Sequence, residues 1–345
     1  MQKESMSPIR IGFTYIGVVV GAGFASGQEI FRFFNVFGAG GFIGIIISTF
    51  LFWILGYQIL KLGHKINASS YMDVVDHFSG RNTSKVFDFI LTFFLFGTFA
   101  AMLSGAGAIA NQYFGLEAIL GGVLMAIISA ITVVLGIKKV INSISFVVPF
   151  LILTVTYICL QSHINTGRFV SVQSNWVGIS GNWFTSALLY VFYNLTFAIA
   201  VLAPLGAQAK NTKSLFYGSF IGAIGLGLGS MLIFLTINSD LNNLLSLEIP
   251  MLYFAKKISE FVSILFLLVL IAEIFTTAVG NLYGIVARFT SRSHYTTLYT
   301  TLFISILACI ASLLGFSNLV AYLYPIMGYA GICLFALAIF RKVFK

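Results

Sequence analysis

The stretch Gly21–Glu29, "GAGFASGQE", interrupts the first apolar segment of the chain, "IGFTYIGVVVGAGFASGQEIFRFFNVFG". Its glycines, serine, glutamine and glutamate stand where a membrane-spanning helix is usually apolar. Ser26 and Glu29 have the spacing of a capping box, the sequence signature of a helix beginning. Since a helix that begins here requires another helix to end just before it, with Gly21 and Gly23 as terminators, we predict two half-helices joined by an unwound segment.

Helix packing is the alternative interpretation of these glycines. Gly17 and Gly21, and again Gly23 and Gly27, form G-x-x-x-G pairs, which allow two membrane helices to approach closely. The pattern G-x-G-x-x-x-G does not have the spacing of a dinucleotide-binding fingerprint. Because packing leaves the polar residues after the glycines unexplained, we favour the broken helix.

The composition places the chain in the membrane. Of its 345 residues, 59% are hydrophobic and 8% are charged, and its mean hydropathy is +1.00. Soluble proteins carry roughly 25% charged residues, so a soluble enzyme or binding module is excluded. Repeated apolar runs of about 20 residues predict an all-α polytopic membrane protein with a single transmembrane domain over 1–345. We expect the lipid bilayer as a partner and no nucleic acid, because the net charge of +9 fits basic loops that face anionic lipid.

The apolar runs predict about ten membrane spans and no separate soluble domain. The more polar segment from Asp240 to Glu260 is predicted to form an extracellular loop with a short helix around "IPMLYFAKKI". The predicted spans cover 9–36, 39–61, 84–110, 115–137, 140–161, 183–204, 214–237, 259–287, 296–315 and 318–340.

The basic residues predict the orientation of these spans. Of the 19 Lys and Arg residues, only Arg32, Arg168, Lys256 and Lys257 fall on the side of the predicted extracellular loop. Basic residues collect in the cytoplasmic loops of membrane proteins, so both termini are expected to be cytoplasmic. A basic start before an apolar run is also found in secretory signal peptides. Because the apolar character resumes beyond Glu29, we expect this segment to be retained.

The unwound joint suggests what the chain does. Main-chain groups exposed at bilayer depth must be satisfied by protein, water or a ligand, and the second half-helix presents its positive end there, which suits a carboxylate. Secondary transporters place substrate and ions at such breaks and are commonly built from inverted repeats. That architecture predicts two five-span repeats of opposite orientation, 9–162 and 183–340.

An inverted repeat also predicts that the sixth span is broken like the first. In the segment "WFTSALLYVFYNLTFAIAVLAPLGAQ", the residues Tyr193, Asn194 and Thr196 interrupt the apolar pattern near the middle, and Pro204 lies beyond them. A polar patch that packs against another helix is the alternative interpretation of these residues.

The eighth predicted span contains an ionisable residue at bilayer depth, Glu273. Such a side chain costs roughly 2.5–3.5 kcal/mol on insertion scales, which makes a functional role the first hypothesis. Glu273, Thr276 and Thr277 lie on a polar face that also includes Gly280 and Asn281. The two hydroxyls offer oxygen ligands to a small hard cation. The alternative is a protonated glutamate that only bonds a neighbouring helix.

Three classes of function are compatible with such a chain, and we favour a secondary transporter. A non-coupled channel or pore for small solutes would need rings of pore-lining groups, usually built by oligomers, whereas the polar residues here converge within one chain. An intramembrane enzyme would need a nucleophile–base pair or a metal cluster, and none is evident in the sequence. We therefore expect no enzymatic activity and no cofactor, and the oligomeric state is left open.

The string "GVVVGAGFASGQEIFRFF" resembles the YkvI-like bacterial membrane proteins, and the resemblance covers essentially the whole chain. The glycine-rich broken first span, the five-plus-five spans, the polar sixth span and the hydroxyl-bearing eighth span are similar to the LeuT-like fold of the amino acid–polyamine–organocation superfamily. The resemblance implies transport of amino acids or related small amines by alternating access, coupled to Na⁺ or H⁺, in a bacterial cell membrane.

The resemblance also implies where the site lies. The first and eighth spans would hold the coupling ion with Gly21, Glu273, Thr276 and Thr277, and Arg32 would form an outer gate. No metal other than Na⁺ is expected. Because Glu273 is not part of the usual sodium pattern, Na⁺ and H⁺ both stay open as the coupling ion. A small-molecule substrate would bind at the unwound parts of the first and sixth spans, formed by Ala22, Gly23, Phe24, Ala25, Ser26, Gly27, Tyr193, Asn194, Thr196 and Phe197.

Overall fold

The structure is a computed structural model that describes residues 6–68, 73–74, 81–135, 138–166, 181–209, 211–289 and 294–343. Within helices, only the backbone is described for 81–87, 138–146, 165–166, 242, 294–296, 334 and 337–343. All regular structure in these residues is helical.

The helices follow one another in the order of the predicted spans. The first predicted span is divided into three short helices, and the loop between the seventh and eighth spans holds two more. Their bounds are α1 Pro8–Val19, α2 Ala22–Ala25, α3 Gln28–Phe33, a 3-10 turn Asn35–Phe37, α4 Ala39–Ile66, α5 Arg81–Phe114, α6 Ala118–Leu135, α7 Lys138–Thr166, α8 Trp183–Ala207, α9 Thr212–Asn238, α10 Leu241–Leu244, α11 Pro250–Ile258, α12 Glu260–Phe289, α13 His294–Ser312 and α14 Phe316–Val343.

Seven of the described helices, α4 to α9 and α12, are long and apolar enough to cross a membrane. Helices α13 and α14 meet this criterion together, as a pair bent by 107° at the short break between them. Helix α1 is apolar but shorter, because the first span is broken. The polytopic helical fold is thus confirmed, whereas the count of ten spans stays a prediction.

Two groups of helices pack mainly within themselves. In the first group, α4 lies against both α8 and α9, and α1 lies against α9. In the second group, α5 lies against α6, α12 and α13. Helix α2, inside the broken first span, packs against α12 and so contacts the second group. The break therefore lies at a junction between the two groups.

Small residues let α4 and α8 approach backbone to backbone. A Cβ atom added to Gly63 would overlap the carbonyl of Ala203, and one added to Gly206 would overlap the carbonyl of Leu60. The Nδ1 atom of His64 also lies 3.2 Å from the carbonyl oxygen of Gly206. Membrane helices commonly associate through such contacts, because burial of apolar surface gives no driving force in lipid.

The predicted interruption of the sixth span is wrong, because α8 is continuous from Trp183 to Ala207. The Asn194 side-chain amide donates to the carbonyl of Tyr190 at 2.9 Å, and the Thr196 hydroxyl donates to the carbonyl of Phe192 at 2.7 Å. These bonds to the preceding turn satisfy the polar groups on their own helix, so the helix need not unwind to accommodate them.

The predicted loop helix is α11, which is anchored at one end of the bundle. The Asp240 carboxylate accepts from Lys257 Nζ at 2.5 Å and from the Tyr253 hydroxyl at 2.6 Å. Burial alone would raise the pKa of Asp240, but hydrogen bonds from Lys257, Tyr253 and Asn243 outweigh it and lower that pKa. This end of the bundle, the α11 side, is the one predicted to be extracellular. That orientation stays a prediction, and Arg168 lies outside the described residues.

Candidate functional site

The first span has two joints. Helix α1 ends at Val19, and Val20 and Gly21 are extended before the single turn of α2. The second joint is at Ser26 and Gly27, where Gly27 adopts a left-handed conformation with φ of 81°. A residue with a side chain is strained at such a φ, which accounts for this glycine. The predicted broken first span is confirmed.

The capping at the second joint differs from the predicted capping box. Gly27, not Ser26, precedes the first residue of α3. The Ser26 hydroxyl donates to the Gly23 carbonyl at 2.9 Å and accepts from the Gln28 N–H at 3.2 Å. Glu29 makes no cap, because its carboxylate instead accepts a hydrogen bond from the Tyr193 hydroxyl on α8.

The α11 helix closes over the second joint. The N–H of Met251, in the first turn of α11, donates to the carbonyl of Ser26 at 3.0 Å. The Met251 side chain also packs against Gly27, together with Ile237 at the end of α9. A carbonyl left free by the break is therefore satisfied by the loop between the seventh and eighth spans. Sequence reasoning missed this contact, because nothing in the local pattern links the two segments.

Glu29 is held in a buried aromatic setting. The residue is 5% exposed, and its carboxylate lies so close to Gly23 that a Cβ there would overlap it. The ring of Tyr193 stacks on Phe33 at 5.6 Å between centroids, with 21° between their planes. Tyr324 of α14 lies 4.9 Å from Tyr193, also between ring centroids. The carboxylate thus sits where α2, α3, α8 and α14 meet.

Three other residues predicted for the substrate lie in two further places. Phe24 and Ala25 line a small apolar cavity with Leu151, Val155 and Gly229, between α2, α7 and α9. Thr196 lies at the contact between α8 and α14, because a Cβ on Gly331 would lie 2.6 Å from its hydroxyl oxygen. Ala22, Gly23, Ser26, Tyr193 and Asn194 are buried, and Phe197 is partly buried.

Three of the predicted ion-coupling residues lie on α12, the helix that α2 packs against, whereas Gly21 lies at the first joint. The Thr277 hydroxyl is 3.4 Å from Glu273 Oε1, and the Thr276 hydroxyl donates to the Glu273 carbonyl at 3.1 Å. Glu273 is 5% exposed, and its Oε2 atom has no hydrogen-bond partner among the described residues. Open space flanks Gly21 and Gly280, since a Cβ on either would meet no atom within 4 Å.

This face of α12 carries oxygen atoms that could bind a small cation. A buried acceptor without a partner is unusual and calls for a bound ion, a water or a proton. Hydroxyl and carboxylate oxygens are the ligands that hard cations prefer. The C-terminal end of α1 adds the negative end of a helix dipole close to Gly21. No cluster of His, Cys, Asp and Glu suited to a metal ion occurs in the part of the chain that the structure describes.

Arg32 bridges α3 to α14 on the α11 side. Its guanidinium donates to the Ser317 hydroxyl, which also accepts from the Gln28 side-chain amide at 2.5 Å. Glu248 accepts from the backbone N–H groups of Phe316 and Ser317. Burial raises the pKa of Glu248, although these two N–H groups act in the opposite direction. The position of Arg32 suits the predicted outer gate, whose role stays a prediction.

Comparison with solved structures identifies the class of fold, which is that of the LeuT-fold transporters. MhsT, solved in complex with L-phenylalanine, has a TM-score of 0.63 at 18% identity, over 97% of this chain and 90% of its own. A Na⁺-coupled sialic acid symporter, solved in a substrate-bound outward-open state, has a TM-score of 0.62 at 14% identity, over 97% of this chain and 79% of its own.

Sequence comparison identifies the family. The uncharacterized membrane protein YkvI of Bacillus subtilis is 32% identical over 342 residues, which is 99% of this chain and 98% of YkvI. The chain belongs to the YkvI family. No protein-family model matches it.

Proposed function

We propose that this protein is a secondary active transporter that moves amino acids or related small amines by alternating access, coupled to Na⁺ or H⁺. The observation that carries the proposal is the doubly jointed first span, whose second joint meets Tyr193 of the sixth span through Glu29. Secondary transporters bind substrate at broken helices near the bilayer midplane. MhsT, solved in complex with L-phenylalanine, and the Na⁺-coupled sialic acid symporter support the transporter class.

The packing of the helices supports the alternating-access mechanism. The group of α1, α4, α8 and α9 holds together, as does the group of α5, α6, α12 and α13. Each group can rotate as a body if the contacts between the groups are few and exchangeable. Rocking of the first group against the second would open the broken span first to one side and then to the other.

The same packing supports the proposed inverted repeat of 9–162 and 183–340. The first span packs on the seventh, as α1 on α9, and the second packs on the sixth, as α4 on α8. A two-fold axis that exchanges the first span with the sixth and the second with the seventh would exchange these two contacts. The continuous α8 departs from this symmetry, because its polar groups bond to their own helix.

The proposed coupling site lies between the first and eighth spans. Glu273, Thr276 and Thr277 would provide carboxylate and hydroxyl oxygens, and the end of α1 would provide main-chain oxygens near Gly21. An ion bound there would stabilise the contact between α2 and α12 and so favour one orientation of the two groups. A proton on the partnerless oxygen of Glu273 would remove a buried charge at the same contact.

Accumulation against a gradient tests the proposal. Purified protein in liposomes would receive a labelled mixture of the common L-amino acids under an inward Na⁺ gradient, a pH gradient or neither. We expect labelled solute to rise above its external concentration under one of the gradients and to fall back when an ionophore dissipates it. Equilibration without accumulation would contradict the proposal and indicate a channel. Protein-free liposomes provide the control.

A further inference from the structure

We propose that Glu29 binds a positively charged amino group of the transported molecule, so that the substrate class is defined by an ammonium group. The inference rests on the proposed function and names the side chain that selects the substrate. It goes beyond the main-chain groups of the broken helix, because it assigns the recognition of charge to a carboxylate on α3.

The position of Glu29 has no structural explanation in the helix that carries it. The residue does not cap α3, since Gly27 precedes the helix and the Ser26 hydroxyl takes the Gln28 N–H. The ion pairs found among the described side chains join Lys257 to Asp240 and Arg288 to Asp88, and neither involves Glu29. A buried carboxylate without a cation is costly in a membrane and marks a functional site by default.

The surroundings of the carboxylate suit an organic cation. Its described hydrogen-bond donor is the Tyr193 hydroxyl, which carries no charge. Arg32, three residues along α3, donates to Ser317 instead. The rings of Phe33, Tyr190 and Tyr324 pack around Tyr193, with centroids 5.6, 5.7 and 4.9 Å from its own. Aromatic rings attract cations through their faces, and cages of such rings recognise ammonium groups. A charge-assisted bond to the carboxylate would add to that attraction.

The backbone of the joint is shaped to leave room for this carboxylate. Glu29 folds back over α2, and Gly23 is the residue against which its oxygen lies. Any side chain at position 23 would occupy the space of the carboxylate. The Gly23 backbone and the Glu29 carboxylate are therefore packed against each other, at the point where the first span meets the sixth. An ammonium bound to the Glu29 carboxylate would contact the first and sixth spans at the same time.

Matched trios of compounds test the inference on the purified full chain. Each trio holds an amino acid, the amine without its carboxylate and the acid without its amine: phenylalanine, phenethylamine and 3-phenylpropionate; leucine, isopentylamine and 4-methylpentanoate; alanine, ethylamine and propionate. Binding is measured by thermal shift and by equilibrium dialysis. We expect the ammonium-bearing members of at least one trio to bind and its acid-only member not to bind.

Variants at position 29 test whether Glu29 is responsible for binding the ammonium group. Glu29→Gln keeps the shape and removes the charge, and we expect it to weaken ammonium binding by about tenfold or more. Glu29→Asp, which keeps the charge, should retain part of the affinity. Glu117→Gln removes an exposed carboxylate and serves as the matched control, with unchanged binding. Unfolding curves of each variant without ligand show whether the fold is intact.

Several outcomes would overturn the inference. These are binding of the acid-only compounds alone, binding by Glu29→Gln equal to the unchanged protein, and failure of every amine to bind. A variant that still binds amines but loses the pH dependence of uptake would make Glu29 the proton carrier instead, which also overturns it. Accumulation that Glu29→Gln leaves intact would refute the role of Glu29 and leave the transporter standing. Glu29-dependent binding without accumulation would support the role of Glu29 in ammonium binding and refute the proposed transporter.

Discussion

The carboxylate of Glu29 accepts a hydrogen bond from the hydroxyl of Tyr193, which joins α3 to the middle of α8. The two residues lie 164 positions apart in the chain. Their contact ties the second joint of the broken first span to the sixth span. Because the two spans belong to different proposed repeats, this hydrogen bond joins the repeats directly at the site.

The first prediction concerns the space beside this carboxylate. Gly23→Ala puts a methyl group where the Glu29 oxygen lies, and overpacking of this kind costs typically about 1–3 kcal/mol. We expect a loss of substrate affinity of about tenfold or more with the helical content unchanged, measured by equilibrium dialysis and circular dichroism. Gly17→Ala is the matched control, because a Cβ there would lie at an ordinary contact distance of 3.6 Å from Val148. Equal affinities for the two variants would contradict the close contact.

The second prediction concerns coupling through the eighth span. Glu273→Gln preserves the volume of the side chain but removes its charge. It also replaces one acceptor oxygen with a donor NH₂ group. We expect gradient-driven accumulation to be lost, while exchange of labelled for unlabelled substrate continues. Both are measured in liposomes. Thr277→Val, which removes the hydroxyl near Glu273 Oε1, should weaken the dependence on the coupling ion. Full accumulation by Glu273→Gln would show that the coupling site is elsewhere.

The third prediction concerns closure on the α11 side. Ser317→Ala removes the acceptor shared by Gln28 and Arg32, and hydrogen bonds to charged groups contribute roughly 1.5–3 kcal/mol. We expect opening on this side to become easier and the exchange of external substrate to accelerate several-fold. Asn318→Ala provides the control, since its exposed side chain donates to the carbonyl of Leu314 on its own helix. An unchanged exchange rate in Ser317→Ala would argue against a gate at this position.

The fourth prediction concerns the anchor of the loop helix α11. Because the folded pKa of Asp240 is lowered, its carboxylate stabilises the folded protein above the pKa of the unfolded chain, about 3.9. That contribution is lost only as the pH falls through the lower folded value. Lys257, whose pKa is raised by Asp240, stays charged through the neutral range.

Asp240→Asn should therefore reduce stability across pH 5–8 by at most about 1 kcal/mol, since Lys257 is half exposed. The difference from the unchanged protein should shrink below about pH 4. Thermal unfolding in detergent at three pH values measures it. A difference that instead grew on acidification would show that the pair does not anchor α11.

The predictable part of the site is local. The glycines and the left-handed turn at Gly27 break the first span wherever the chain is placed, because they change the backbone itself. The interpretation of Glu29 as a helix cap was wrong because it depends on a side chain and not on the backbone. The capping-box spacing is met, but a glutamate can bond any donor within reach, and Tyr193 competes with the backbone for it. Its depth in an apolar run was the available signal of function.

The local sequence of the sixth span does not decide whether that helix is unwound or continuous. Asn194 and Thr196 interrupt the apolar pattern in the same way whether the helix unwinds or their side chains bond the preceding turn. The choice between the two depends on what faces them. The small residue Gly331 lets α14 pack directly over Thr196 on the continuous α8.

The amino-acid pattern alone is enough to predict a bundle of membrane helices with a broken first span. Both conclusions rest on the length of apolar runs and on backbone conformation, which neighbouring residues control. Three contacts are visible only in the folded bundle: Glu29 with Tyr193, Met251 with Ser26 and Arg32 with Ser317. Each of these contacts joins residues from distant spans. They form because the packing of the helices fixes which side chains face one another, and that packing is a property of the whole bundle.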